Sequence, residues 1–389
     1  MTTREVYLDY AATTPVDPAV AEAMAECLER DGDFANPSSA HSFGQAAAQR
    51  VETARVQIAE RIGAAADSII LTSGATESDN LALQGVMHAC RERGNHLITA
   101  RTEHKAVLDT AAALERQGFA MTYLDCDTDG LIDTDALEAA ITDDTVLVSI
   151  MHLNNETGVI QDLTELGERC RRHGVLLHAD AAQSVGKVPM NVTEWPVDLV
   201  SLTAHKIYGP KGVGALYLRP GVPLVPLMFG GEQERALRPG TLPVHQIVGM
   251  GRAYQIADPA VEAPRLAALK SRLWEGLSGI EGARRNGHAE RCSPHVLNVT
   301  FPGVNGESLR LAIEEIAVSA GSACNAETPE SSHVLSAMGL SDALAESTLR
   351  LSLGRYTTAE EIDYVIERMT AEAGRLRELS AGAPAWCRS

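Results

Sequence analysis

The chain has 389 residues, with 33 Lys and Arg against 52 Asp and Glu, a formal net charge of −19. At ~150 residues per domain this length suggests two or three domains with a substantial core, and 45% apolar with 22% charged residues excludes a disordered or fibrous chain. The acidic balance excludes a broad nucleic-acid-binding face, which would need clustered Lys and Arg to displace counterions from phosphates, and leaves open only a local basic patch.

Residues 1–10 carry Arg4 and acids but no apolar run, so they do not read as a secretory leader. A helix is expected over 45–62, where Val51, Ala54, Ile58 and Ile62 recur at helical spacing. From about 45 to 218 amphipathic patterns alternate with short apolar runs, the rhythm of βα units around a mostly parallel sheet. Seven strands are predicted, at 68–71, 96–100, 120–124, 146–150, 175–179, 198–202 and 213–218, with helices near 75–92, 104–117, 133–140 and 162–173. The most apolar stretch, 212–231, contains Arg219 and three prolines, so no membrane span is expected. After Pro239 the pattern changes to one long helix (245–278), a strand (295–301), a helix (306–315) and a terminal helix from 359 to about 379, a smaller α+β unit. Residues 380–389 read as a mobile tail. The seven cysteines, at 27, 90, 126, 170, 292, 324 and 387, form no CxxC pair, which points to free thiols and a reducing, cytoplasmic setting.

Asp180, ending VLLHAD, and Lys206, ending DLVSLTAHK, both follow apolar runs. In an open α/β sheet ligands gather beyond the carboxyl ends of strands, so the two share one crevice. A pyridoxal phosphate enzyme needs such a pair: a lysine to form the Schiff base, and a carboxylate to keep the pyridine nitrogen protonated. Two unconnected loop-start residues are the competing reading. SGATESDN (73–80) follows a strand and opens a helix, with Gly74 allowing close backbone approach and Thr76 offering a hydroxyl, as a phosphate site requires; an ordinary helix cap is the alternative. No GxGxxG or GxxxxGK[ST] pattern occurs, so nucleotide binding has little support. His104 falls at a third strand end, suited to stacking on a planar cofactor or to acid-base work. Asn155 and Gln183, at two more, suit a phenolic oxygen or a carboxylate. Cys324 lies in SAGSACNAETPESS, the composition of a mobile loop, and an exposed loop thiol reads as a nucleophile, whereas the other six cysteines read as inert.

With these residues in hand, the sequence resembles the group I cysteine desulfurases, class-V aminotransferase relatives among the fold-type I pyridoxal phosphate enzymes. The resemblance runs through YLDYAATTP (7–15), NPSSAHSFG (36–44), LTSGATESDN (71–80), HLNNETGVIQDL (152–163), HADAAQSVGK (178–187), AHKIYGPKGVGALY (204–217), GTLPVHQIVGMG (240–251), GSAC (321–324) and STLRLSLGRYTTAEEID (347–363). It implies a large cofactor-binding domain over 15–255 with a mostly parallel seven-stranded sheet flanked by helices. It also implies a smaller α+β domain from 1–14 and 256–389, carrying a catalytic-cysteine loop at about 319–333. Lys206 would be the Schiff-base lysine, Asp180 the pyridinium partner, His104 the stacking residue and Gln183 the partner of the ring oxygen. Ala75, Thr76, Thr203 and His205 would hold the phosphate, with Thr241 lent by the second subunit of a homodimer. Thr203 stands where family members usually have Ser. Asn36, Asn155 and Arg350 would bind substrate, and Arg350 suits a carboxylate because its guanidinium fork binds one bidentately.

Cys324 would accept the sulfur of L-cysteine as a persulfide, leaving L-alanine. No resident metal is implied, though Cys324 would stand near a transient iron–sulfur cluster during transfer. The acceptors implied are an iron–sulfur scaffold, a tRNA-thiolation carrier or the DNA phosphorothioation machinery, with no direct nucleic-acid or membrane contact. A selenocysteine lyase or another class-V aminotransferase or lyase is the alternative reading. After Cys324, NAETPESS is more acidic than the segment common in the group.

Overall fold

The computed structural model describes residues 5–320 and 331–382. Cys324, Cys387 and the tail beyond 382 lie outside the described residues. Seven strands form one sheet in the order Ile69–Thr72, Gly214–Leu218, Leu199–Thr203, Leu176–Asp180, Thr145–Ser149, His96–Ala100, Ala120–Leu124. Gly214–Leu218 runs antiparallel to both neighbours, and the remaining pairs are parallel. Central strands buried on both faces must be apolar on both, which is why Thr145–Ser149 and Leu199–Thr203 read as continuous runs. Alternate side chains feed opposite faces: Ile98, Val148 and Leu177 join one hydrophobic cluster, and Leu97, Leu147 and Leu176 another.

The helix Ser42–Arg61 buries Ala47, Val51, Ala54 and Ile58, the expected stripe, and packs against Val244–Ile256. The close approach needs a glycine: a Cβ on Gly251 would lie 2.6 Å from Ala54 Cα. The single helix expected over 245–278 is two, Val244–Ile256 and Pro259–Leu277. Ala257 turns extended, Asp258 accepts a hydrogen bond from Ala260 N at 3.0 Å, and Pro259 opens the second helix. Asp-Pro ends one helix and caps the next because proline lacks the N–H that continuation requires and disfavours helical backbone before it. The helix expected over 306–315 stops at Ala312, and Ile316–Ala317 instead pairs in parallel with Val6–Tyr7. The terminal helix Ala359–Gly382 continues through 380–382, where a mobile tail was expected.

A third hydrophobic cluster gathers Val6 and Leu8 with Leu266, Leu297, Phe301, Leu349 and Ile362, over an antiparallel sheet ordered Ser319–Ala320, Thr348–Ser352, Val296–Thr300, Arg284–Asn286. From that cluster residues 9–14 cross to the large sheet, where Thr14 N donates to His205 O at 2.9 Å. No helix among the described residues is long and apolar enough to cross a membrane.

Candidate active site

Beyond the carboxyl ends of the parallel strands lies a cavity of about 560 Å³. Asp180 is the last residue of its strand and only 6% exposed, and its Oδ1 accepts from Ala182 N at 2.8 Å. Burial raises its carboxyl pKa, while His104, the Ala182 N–H and Lys206 pull it back. Lys206 Nζ donates to Ala11 O at 2.5 Å and Ala12 O at 2.7 Å, so the crossing segment sets its direction. Ala11 O also accepts from Gln183 Nε2 at 2.8 Å.

His104 caps the helix Lys105–Arg116, its Nδ1 accepting from Ala106 N at 3.1 Å. That acceptor role puts the hydrogen of the neutral ring on Nε2. Burial lowers the pKa of the ring, with Asp180 opposing and Lys206 and His333 adding to the effect, so it is neutral near pH 7. His205 bonds through Nδ1 to Thr13 Oγ1 at 3.1 Å, and burial, then Lys206 and Lys211, bring its pKa down to about 4.

The helix Ala75–Ala89 opens at Gly74 without a side-chain cap, beside Ser73, Thr76, Thr203 and His205. Gly74 has φ 154°, a conformation side chains rarely adopt, and a Cβ there would meet nothing within 4 Å. An uncapped helix start facing such an opening is an anion cradle. Arg350 is 4% exposed and donates from Nη1 to Asn155 O at 2.9 Å, from Nη2 to Asp9 Oδ1 at 2.8 Å and from Nη2 to Ser319 Oγ at 3.1 Å.

Ala75, Thr76, His104, Asn155, Asp180, Gln183, Thr203, His205, Lys206 and Arg350 all line this one cavity. Asn36 and Thr241 do not; Asn36 Oδ1 accepts from Ser38 N at 2.9 Å in its own turn. Sequence reasoning missed the carbonyls of Ala11 and Ala12, the Glu77–Arg238 ion pair at 2.8 Å beside the cradle, and the buried acids Asp79 and Glu103 near Asp180. Glu103 precedes His104 at the same strand end, so it alone had a local signal. Nothing local links Asp9 to Arg350.

The described residues fit pyridoxal phosphate. Asp180 is a buried acid whose carboxylate a protonated ring nitrogen would stabilise. The open cap at Gly74 fits the phosphate.

Residues 6–365 match the class-V aminotransferase family. The chain is 54% identical over 386 residues to the cysteine desulfurase IscS of Photorhabdus laumondii, covering 98% of this chain and 95% of that one. Among solved structures it resembles a NifS-like protein, with TM-score 0.90 and 38% identity over 96% of this chain and all of that one. It also resembles SspA in complex with cysteine, with TM-score 0.81 and 40% identity over 91% of this chain and all of that one. The chain thus belongs to the class-V aminotransferases and, among them, to the cysteine desulfurases, enzymes that use pyridoxal 5'-phosphate to take sulfur from L-cysteine.

Proposed function

We propose that this cavity converts L-cysteine to L-alanine while the sulfur passes to Cys324 for delivery to an acceptor protein. The observation that carries the reading is the convergence of Lys206, Asp180, His104 and Arg350, from four separate stretches of chain, on one cavity. When bound, pyridoxal phosphate supplies an electron sink that makes the substrate Cα–H acidic. Lys206 holds the cofactor and moves that proton at Nζ. Asp180 faces the ring nitrogen, Gln183 the ring oxygen, and Ala75, Thr76, Thr203 and His205 the phosphate. His104, neutral with hydrogen on Nε2, handles the substrate thiol proton. Asn155 and Arg350 orient the substrate carboxylate, and Asn36, which does not line the cavity, is given no part in it.

Cys324 attacks the substrate sulfur: its Sγ–S bond forms as the substrate S–Cβ bond breaks, and Cβ takes a proton to give alanine. L-cysteine and the Cys324 thiol thereby become L-alanine and a Cys324 persulfide, with atoms balanced. Both flanks of 321–330 support this placement. Ser319 bonds Arg350 and Asp9; Ser332 bonds Glu156; and His333 Nε2 lies 2.9 Å from Glu103 O, next to His104.

We further propose a homodimer in which the partner lends Thr241, supported by the exposed Val225, Met228 and 87%-exposed Phe229 nearby in sequence. The large unit would span 15–255, and the small one 1–14 and 256–389. Free thiols at Cys27, Cys90, Cys126, Cys170 and Cys292 suit the cytoplasm. The charge of −19 suits a basic carrier as acceptor, such as an iron–sulfur scaffold or thiolation protein. The test is Cys324→Ser: cofactor absorbance persists while alanine formation from L-cysteine falls about a hundredfold or more. Turnover close to that of the parent enzyme refutes the assignment.

A further inference from the structure

Arg350 does not wait in the cavity as a bare cation. Its Nη2 is hydrogen-bonded to Asp9 Oδ1 at 2.8 Å and Ser319 Oγ at 3.1 Å, Ser319 Oγ itself donates to Asp9 Oδ1 at 2.8 Å, and Nη1 donates to Asn155 O at 2.9 Å. The triangle joins the N-terminal segment to two neighbouring strands, where Ser319 and Arg350 are direct cross-strand partners. Arg350 Nε is buried and has no hydrogen-bond partner among the described residues. Asp9 is the acid in ion-pair contact with this guanidinium, its side chain 20% exposed against 4% for Arg350. Glu156, also near Arg350, has its carboxyl pKa raised by burial and is held by Ser332, so it contributes less compensating charge.

A buried guanidinium of this kind is already charge-compensated, and three of its five N–H donors are engaged. A substrate carboxylate arriving at Arg350 must share that cation with Asp9, at the expense of the existing pair.

We infer that Asp9 is a positioning residue that acts through Arg350 as a built-in competitor for the carboxylate site, weakening the hold on substrate and product carboxylates alike. The inference rests on Arg350 being the carboxylate partner. Its benefit falls on turnover: L-alanine carries the same carboxylate as L-cysteine, so an unopposed guanidinium would hold both tightly and slow release of the product.

Asp9→Asn tests this, because the amide oxygen keeps the hydrogen bonds to Ser319 and Arg350 and only the charge is lost. L-alanine and ethylamine, its counterpart without a carboxylate, are titrated into the cofactor-loaded enzyme and followed by cofactor absorbance. Asp9→Asn should tighten L-alanine about tenfold, leave ethylamine unchanged, and lower KM for L-cysteine together with kcat. A purely structural role for Asp9 predicts weaker L-alanine binding instead, and that result, or no change, overturns the inference. Equal tightening of ethylamine overturns it too, since the effect would not run through the carboxylate. Arg350→Gln separates the two readings: if it leaves L-alanine affinity intact, the carboxylate assignment itself has failed. If it weakens L-alanine while Asp9→Asn has no effect, only the role of Asp9 has failed. Should Asp9→Asn not load the cofactor, Asp9→Ser is read in the same way, and failure of both to load makes Asp9 a folding residue and ends the proposal.

Discussion

Asp79 sits on the helix behind Asp180, fully buried, with neither carboxyl oxygen hydrogen-bonded among the described residues and His178 Nε2 3.6 Å away. Burial first, then the nearby Asp180, push its carboxyl well above the usual range, with Ser201 pulling back. His178 offers no positive charge, since burial holds its own pKa down at about 3. Burial and the neighbouring Asp180 both favour the protonated form of Asp79. The linkage sign follows: above ~4 the unfolded chain releases this proton while the folded chain keeps it, so Asp79 makes stability fall as pH rises toward its raised folded pKa. Asp79→Asn removes that slope. Denaturant titrations of the cofactor-free protein should show the variant gaining on the parent by up to ~1.4 kcal/mol per pH unit above pH ~4, and parallel pH curves would count against a raised folded pKa for Asp79. The strand-end rule made Asp180, Lys206 and His104 legible in the sequence, because that rule depends only on where apolar runs stop. Asp79, Asp9 and Ser319 escaped because their meaning depends on which partner a distant strand or helix supplies.

Elements were legible wherever burial imposed a period. The strands His96–Ala100 and Ala120–Leu124 match their expected bounds, and the remaining five of the large sheet shift by one residue at one or both ends. The failures came where local backbone chemistry overrode period. Apolar spacing runs on across 257–259, but Asp258 and Pro259 break the helix there. The helix expected over 306–315 ends at Ala312, ahead of the short strand Ile316–Ala317, whose partner Val6–Tyr7 is remote in sequence. Gly251 makes the same point energetically. Helix propensity alone would favour alanine there by ~1 kcal/mol, yet its Cβ would strike the Ala54 backbone. Gly251→Ala should therefore lose about 1–3 kcal/mol net in denaturant unfolding, as overpacking outweighs propensity. A stabilised variant would mean the two helices can part without cost.

For the whole molecule, the −19 charge and the exposed Phe229 act on different partners. Like charge repels copies at long range, so self-association must rest on apolar contact at short range. If the proposed homodimer forms through this face, Phe229→Asp should shift sedimentation from dimer toward monomer at micromolar concentration and weaken cofactor retention, because a Thr241 lent across it would be lost. An unchanged dimer would place the interface elsewhere.

The pairing of Val6–Tyr7 with Ile316–Ala317, and the passage of Ala11 and Ala12 to Lys206, also set a clock on synthesis. The large sheet needs nothing beyond Leu218 for its strands, so its hydrophobic layers can close while the ribosome is still working. Residues 6–7, made first, find their strand partner only some 310 residues later, an interval of ~15–60 s at typical elongation rates of ~5–20 residues per second. Throughout it the early segment lacks its strand partner, and the pocket lacks the third hydrophobic cluster, from which residues 9–14 cross to Lys206.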